Sequence, residues 1–249
     1  MPAATHGEAT GMIRYHEIDM SLILQIETAT TVCSVALSEN GSVLAQKEVQ
    51  QRNIHAEAIT VFIDGILKDA GKQYHELNAV AVSCGPGSYT GLRIGVSVAK
   101  GLCYALDIPL IAIETLEAMT NGLIAQNTFD EQSDLLLCPM IDARRMEVFT
   151  AVFNIKSERI RPTSAEIIDG NSFDDLLKTH KIIFFGDGAV KCSEVLGKNP
   201  NVQIIPEFLN SASHLTKKAI EKYKTQSFED VAYFEPYYLK DFIAGKKAN

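Results

Sequence analysis

Three places in this 249-residue chain combine residue types and spacing that could do chemistry. The first is the run Cys84-Gly85-Pro86-Gly87-Ser88-Tyr89-Thr90-Gly91. Glycines let a backbone approach a ligand closely, and the amides opening a following helix would point free donors at an anion. A plainer reading of the same residues is a tight turn whose Ser88 or Thr90 caps the helix. The lysine of a GxxxxGK[ST] phosphate loop is missing, which excludes that motif. The second place is a pair of acids at the ends of apolar runs, Glu27 before Thr28-Ala29-Thr30-Thr31 and Asp142 before Ala143-Arg144-Arg145. From opposite halves of a cleft they could face phosphate-bound magnesium, although acids at strand ends are also common by chance. The third is the turn Gly186-Asp187-Gly188. Together Glu27, Thr28, Gly85, Gly87, Ser88, Asp142, Gly186 and Gly188 make a candidate nucleotide site, vestigial in character.

Other chemistries are poorly served. Five cysteines, Cys33, Cys84, Cys103, Cys138 and Cys192, lie far apart with no CxxC pair, so zinc or redox spacing is lacking and reduced thiols are expected. Nothing places a histidine beside Cys84 as the base of a thiol nucleophile, and no GxSxG elbow surrounds Ser88. The 31 acidic residues outnumber the 23 basic ones to give a formal charge of −8, which argues against a surface that grips a nucleic-acid backbone by itself. Residues 1–20 contain acids and no apolar core of a signal peptide, and no apolar run reaches membrane-spanning length. A cytoplasmic protein without membrane attachment is expected.

The elements that must position these residues begin at 22–27, an apolar strand, followed by strands at 32–38 and 42–50 joined through Asn40-Gly41, a dipeptide suited to a tight hairpin. Over 54–70 the apolar residues fall on one helical face, and Gly71 ends that helix. A strand at 79–83, a helix at 90–106, a strand at 108–113 and a helix from 115 complete the first half. The second half reads as strands at 135–141, 147–155 and 160–168, a short helix at 173–179, a strand at 181–185, a helix ending near 198, a strand at 202–205 and a helix at 212–223. Both halves therefore spell β-β-β-α-β-α-β-α. A meander followed by right-handed crossovers gives a mixed sheet with helices on its faces, and two such lobes across a cleft describe the actin-like ATPase, or ribonuclease H-like, α/β architecture. The division expected is an N-terminal extension at 1–21, disordered, a first lobe at 22–125 and a second at 126–249.

Within the helix at 90–106, Gly91, Gly95, Ala99 and Cys103 recur every fourth residue and form a ridge with little side chain. Leu92, Val96, Val98, Leu102 and Leu106 spread over the remaining surface, so burial on more than one side is implied. The ridge suits either the neighbouring helix at 54–70 or a partner chain.

The segments ILQIETATTVCSVAL, SCGPGSYTGLRIGVSVAKGLCYAL, IPLIAIETLEAM, PMIDARRMEVFTAVF and PYYLK together resemble the TsaB (YeaZ) family, glycoprotease-like subunits of tRNA threonylcarbamoyladenosine biosynthesis. GPGSYTGLRIG is the specific part, and the resemblance runs from Leu22 to Met119 and more sparsely to Lys240. It implies a heterodimer with the catalytic paralogue TsaD, contact with the ATPase TsaE, and tRNA reached indirectly through the complex. TsaD transfers the threonylcarbamoyl group to an adenosine of ANN-decoding tRNAs, whereas the TsaB partner is a non-catalytic scaffold. In this family the helices of the first lobe form the joint and self-associate when the paralogue is missing. The resemblance thus points to Ala58, Phe62, Gly91, Gly95, Val98, Ala99 and Leu102 as the partner surface. It implies no required cofactor, and at most weak or shared ATP or ADP binding in the complex.

The catalytic paralogue holds its metal with an HxxxH pair on the helix after the strand matching 109–113. Two histidines four apart share a helical face and reach one ion. Here those positions are Thr115 and Met119, with no histidine between His75 and His180, so no metal site is expected. The first twenty residues have no counterpart in the family, and Met12 or Met20 are alternative starts. Glu27 stands where actin-like ATPases prefer aspartate. The rival readings are an actin-like small-molecule kinase or ATPase, a metallopeptidase, and a homodimeric regulator that uses the ridge on itself.

Overall fold

Asn40 and Gly41 close the first hairpin with φ of 53° and 82°, the doubly left-handed turn that this dipeptide tolerates. The hairpin belongs to a computed structural model that describes residues 21–130 and 133–240. Of the extension expected at 1–21, residues 1–20 lie outside the described residues, and Ser21 is buried with its amide donating to the Asn40 side chain at 2.9 Å.

Strands Leu22–Glu27 (β1), Val32–Glu39 (β2) and Ser42–Gln50 (β3) form the meander, followed by helix His55–Asp69 (α1), strand Ala79–Gly85 (β4), helix Tyr89–Leu106 (α2), strand Leu110–Glu114 (β5) and helix Thr115–Gln126 (α3). The second half runs through strands Leu135–Asp142 (β6), Glu147–Asn154 (β7) and Arg159–Ile167 (β8), helix Asp174–Leu177 (α4), strand Lys181–Phe185 (β9), helices Asp187–Lys191 (α5) and Ser193–Leu196 (α6), strand Val202–Ile205 (β10) and helix Thr216–Lys224 (α7). One sheet has the order β3-β2-β1-β4-β5 and the other β8-β7-β6-β9-β10, the same topology twice. In each, the meander pairs antiparallel while the first strand pairs parallel with the strand after the first crossover. This duplication is the actin-like arrangement.

Three elements depart from the sequence reading. The single helix expected before residue 198 is broken at Cys192, whose buried side chain turns into the second core. The helix expected at 212–223 opens as a 3-10 turn over Ala212–Leu215 before becoming α7. A further 3-10 turn at Tyr74–Glu76 was hidden by its polar composition.

Strands buried on both faces read as near-continuous apolar runs, and β1, interrupted only by the buried Gln25 before its final Glu27, shows why. Leu22, Leu24 and Ile26 pack with Ile59, Ile63 and Ile66 of α1 and with Val96 and Ala99 of α2. On the opposite face Ile23 meets Ala79, Ala81 and Ile113, with Ala118 of α3 and Leu215 and Ala219 from the end of the chain. So α7 returns to the first sheet, while α3 sends Leu116, Met119 and Leu123 against Leu137, Phe149 and Phe185 of the second. The second sheet's outer face packs Cys138, Met140 and Phe184 on Phe173, Leu177 and Cys192. Among the described residues no helix is long and apolar enough to cross a membrane.

Candidate functional site

At the end of β1 the Glu27 carboxylate is buried and folds back to accept a hydrogen bond from the Ala29 amide at 2.6 Å. Burial pushes its pKa up from the ordinary 4.5 to about 7, against the lowering effect of the hydrogen bond from the Ala29 amide. The β4–α2 turn closes directly over this corner. Ser88 donates its amide to the Ala29 carbonyl at 2.7 Å, and its hydroxyl accepts from the Gly91 amide at 3.2 Å as the helix cap. A Cβ on Gly87 would overlap Ala29, and one on Gly91 or Gly95 would overlap the Thr28 carbonyl or hydroxyl. Gly85, at φ +116°, has the Tyr237 carbonyl oxygen where its Cβ would project.

These contacts are those of a tight turn with Ser88 as the helix cap, the plainer of the two readings of the sequence. Gly85, Gly87 and Ser88 are used to seat the chain's own backbone, and the two α2-turn amides named above are already bonded. Thr28, expected at a phosphate, is the buried knob against which α2 lies.

On the second lobe Asp142 is exposed, accepts from the Arg144 amide at 2.8 Å and pairs with Lys191, while its own amide donates to Asp187 at 2.9 Å. Burial raises the Asp187 pKa above its usual range. A Cβ on Gly186 would overlap the Met140 carbonyl oxygen, and one on Gly188 would press on Met140 and Ile141 at 3.0 Å. The structure therefore leaves one of the two expected magnesium-facing acids enclosed and the other engaged by a lysine. Thr115 and Met119 are both buried, Met119 within the core between α3 and the second sheet. Among the described residues no group of three or more His, Cys, Asp or Glu side chains could hold a metal ion.

The small-residue ridge also needs correction. Gly91, Gly95 and Ala99 face inward, onto Thr28 and the first core, and are buried together with Ala58. Phe62, Val98 and Leu102 are half-buried against that core. The faces of α1 and α2 that remain open carry Thr60, Val61, Arg93, Ser97 and Tyr104, with Val61 65% and Tyr104 86% exposed. Between the helices runs a shallow groove of about 560 Å³ lined by Ile59, Thr60, Tyr89, Arg93, Ile94 and Val98. Sequence reasoning missed these open positions. The available signal was Val61, an apolar residue that falls outside the buried stripe of α1.

Two ties between the lobes were likewise unforeseen. Arg159 of β8 forms a two-pronged pair with Glu114 at the end of β5, at 3.1 and 2.6 Å, and Thr163 joins the same carboxylate. Beyond α7 the chain runs back along the first lobe as residues 229–240 and reaches the second lobe through Lys240 and Glu147.

A β-meander-crossover sheet of the same topology, present twice, defines a two-lobed α/β protein of the actin-like fold. A family model described as TsaD, tRNA N6-adenosine threonylcarbamoyltransferase, matches residues 42–241. The Haemophilus influenzae tRNA threonylcarbamoyladenosine biosynthesis protein TsaB is 29% identical over 236 residues, covering 90% of this chain and 96% of that protein. Its Escherichia coli namesake is 38% identical over 131 residues, 53% of this chain, so the alignment spans about half (54%) of that relative's length. The solved structure of YeaZ from Pseudomonas aeruginosa superposes with a TM-score of 0.72 at 23% identity, covering 88% of this chain and all of that one, a likeness of fold. The chain belongs to the family that the TsaD model describes, in its TsaB (YeaZ) branch.

Proposed function

We propose that this chain is a non-catalytic scaffold subunit for tRNA threonylcarbamoyladenosine synthesis, which binds and supports a TsaD paralogue that carries the chemistry. The observation that carries the reading is the state of Thr115 and Met119. Where the catalytic paralogue would present a metal-binding pair, this helix presents two buried side chains, one of them a core methionine. Glu27 supports the same reading, because a carboxylate enclosed and turned onto its own backbone is not free to hold phosphate-bound magnesium.

The partner surface in this reading is the open side of α1 and α2. It offers Val61, Tyr104, Arg93 and the groove between the helices, a mixture of apolar, aromatic and arginine contacts typical of interface centres. TsaE is a further partner, tRNA is met through the assembled complex, and the chain works in the cytoplasm. Nucleotide is weakly bound or shared within the complex, and alone the chain pairs with itself through the same helices.

Reconstitution tests this function. The paralogue, TsaE, threonylcarbamoyl-adenylate and an ANN-decoding tRNA are combined with and without this chain. Modified adenosine should form only when the chain is present, and the chain alone should turn over no ATP and carry no stoichiometric zinc or iron by elemental analysis. A full equivalent of metal, or tRNA modification by the chain alone, would overturn the proposal.

A further inference from the structure

Residues 229–240 follow the last helix and form a strap with a sequence of anchors on both lobes. Glu229 donates its amide to the Leu110 carbonyl at 2.9 Å, covering the edge of β5. Val231 and Phe234 pack on the first core, and Lys100 of α2 donates to the carbonyls of Ala232 and Phe234 at 3.2 and 2.9 Å. Tyr237 then donates its amide to the Cys84 carbonyl at 2.7 Å, and its own carbonyl oxygen fills the space left by the missing side chain of Gly85. Tyr238 lies against Tyr89 at the start of α2, with centroids 5.0 Å apart and the rings tilted by 37°.

The next two residues belong to the other lobe. Leu239 packs with the cluster containing Phe149 and Phe185, and Lys240 pairs with Glu147 of β7 while lying 6.0 Å over the Phe149 ring. Within a few residues the strap passes from the turn at the end of β4 to the hairpin of the second sheet. Arg159 and Glu114 make a second fastening between the lobes.

We propose that this strap, with the Arg159–Glu114 pair, is a built-in brace that fixes the angle between the two lobes. Hinged proteins close by changing a few linking residues while each body stays rigid. Here the strap is anchored at Glu229, Phe234, Tyr237, Leu239 and Lys240, and the glycine that receives it cannot be replaced without displacing it. The chain is therefore a single rigid platform, and Mg-ATP does not move one lobe against the other.

The test is the inter-lobe distance in the full chain, read by pulsed electron resonance between spin labels at Tyr104→Cys and Ile167→Cys, both highly exposed and on opposite lobes. The unaltered strap should give one narrow distance, the same with and without Mg-ATP. Releasing the second-lobe anchors with Leu239→Asp and Lys240→Glu should replace it with a broad distribution, broader still when Arg159→Ala is added, while circular dichroism shows both sheets intact. As a milder variant, Lys240→Glu alone should broaden the distance partly, and adding Glu147→Lys should restore it. Two distances in the unaltered chain, a shift on adding Mg-ATP, or a narrow distance that survives release of both fastenings would overturn the brace.

Discussion

Gly95 lies against Thr28 so closely that a Cβ on the glycine would occupy the place of the Thr28 hydroxyl. This contact, with that of Gly91 on the Thr28 carbonyl, decides what the every-fourth-residue ridge of α2 is for. It lets the helix settle on the β1–β2 turn of its own lobe, burying Ala99 and Cys103 behind it.

Substitutions along α2 should separate accordingly. Gly95→Ala forces Thr28 to move within a packed corner and should cost about 1–3 kcal/mol. Gly101, on the same helix, has open space where its Cβ would go. Gly101→Ala should instead stabilise by about 0.5–1 kcal/mol, because glycine in a helix interior gives up more backbone freedom than alanine. Urea midpoints for the two variants check the opposite signs.

Glu27 makes stability pH-dependent in a direction opposite to most carboxylates. In the folded chain it keeps its proton to about pH 7, whereas the unfolded chain releases it near 4.5. Between those values the unfolded state binds fewer protons, so stability falls as pH rises, by roughly 3 kcal/mol across the window, and is flat for this group above and below it. Glu27→Gln keeps an acceptor for the Ala29 amide and has nothing to titrate. Compared at pH 4.5 and pH 8, the variant should gain on the parent chain at the higher pH and show little advantage at the lower. An equal difference at both values would contradict the buried, proton-holding carboxylate.

Much of the fold was legible because it rests on local pattern. The apolar runs of β1 and β4, Asn40-Gly41 and the stripe of α1 each need only neighbouring residues to be read, and the repeated order of elements points to two like sheets. The resemblance to the TsaB family was also legible, in GPGSYTGLRIG above all. What was not legible depends on residues far apart in the chain. A ridge of small side chains looks the same whether its neighbour is Thr28 or another molecule, and Gly85 gives no sign that Tyr237 will rest on it. Asp142 reads as a free carboxylate until Lys191 arrives from α5. The open faces of α1 and α2 were masked because attention to periodic apolar residues selects the buried stripe, leaving Val61 and Ser97 aside.

The most direct measurement of the central claim is heterodimer formation by a chain carrying Val61→Glu and Ser97→Glu on the open faces of α1 and α2. Both positions are exposed, so the variant should melt close to the parent chain, with surface changes of this kind worth within about 0.5 kcal/mol. Titrated against the purified TsaD paralogue by calorimetry, it should bind weaker by at least about 2 kcal/mol, roughly 30-fold, because two carboxylates would be carried into the joint. Ala99→Leu should do the reverse, lowering the melting temperature through the core. Unchanged affinity in the doubly charged variant, at unchanged stability, would contradict the assignment of this helix pair as the surface through which the chain supports its catalytic partner.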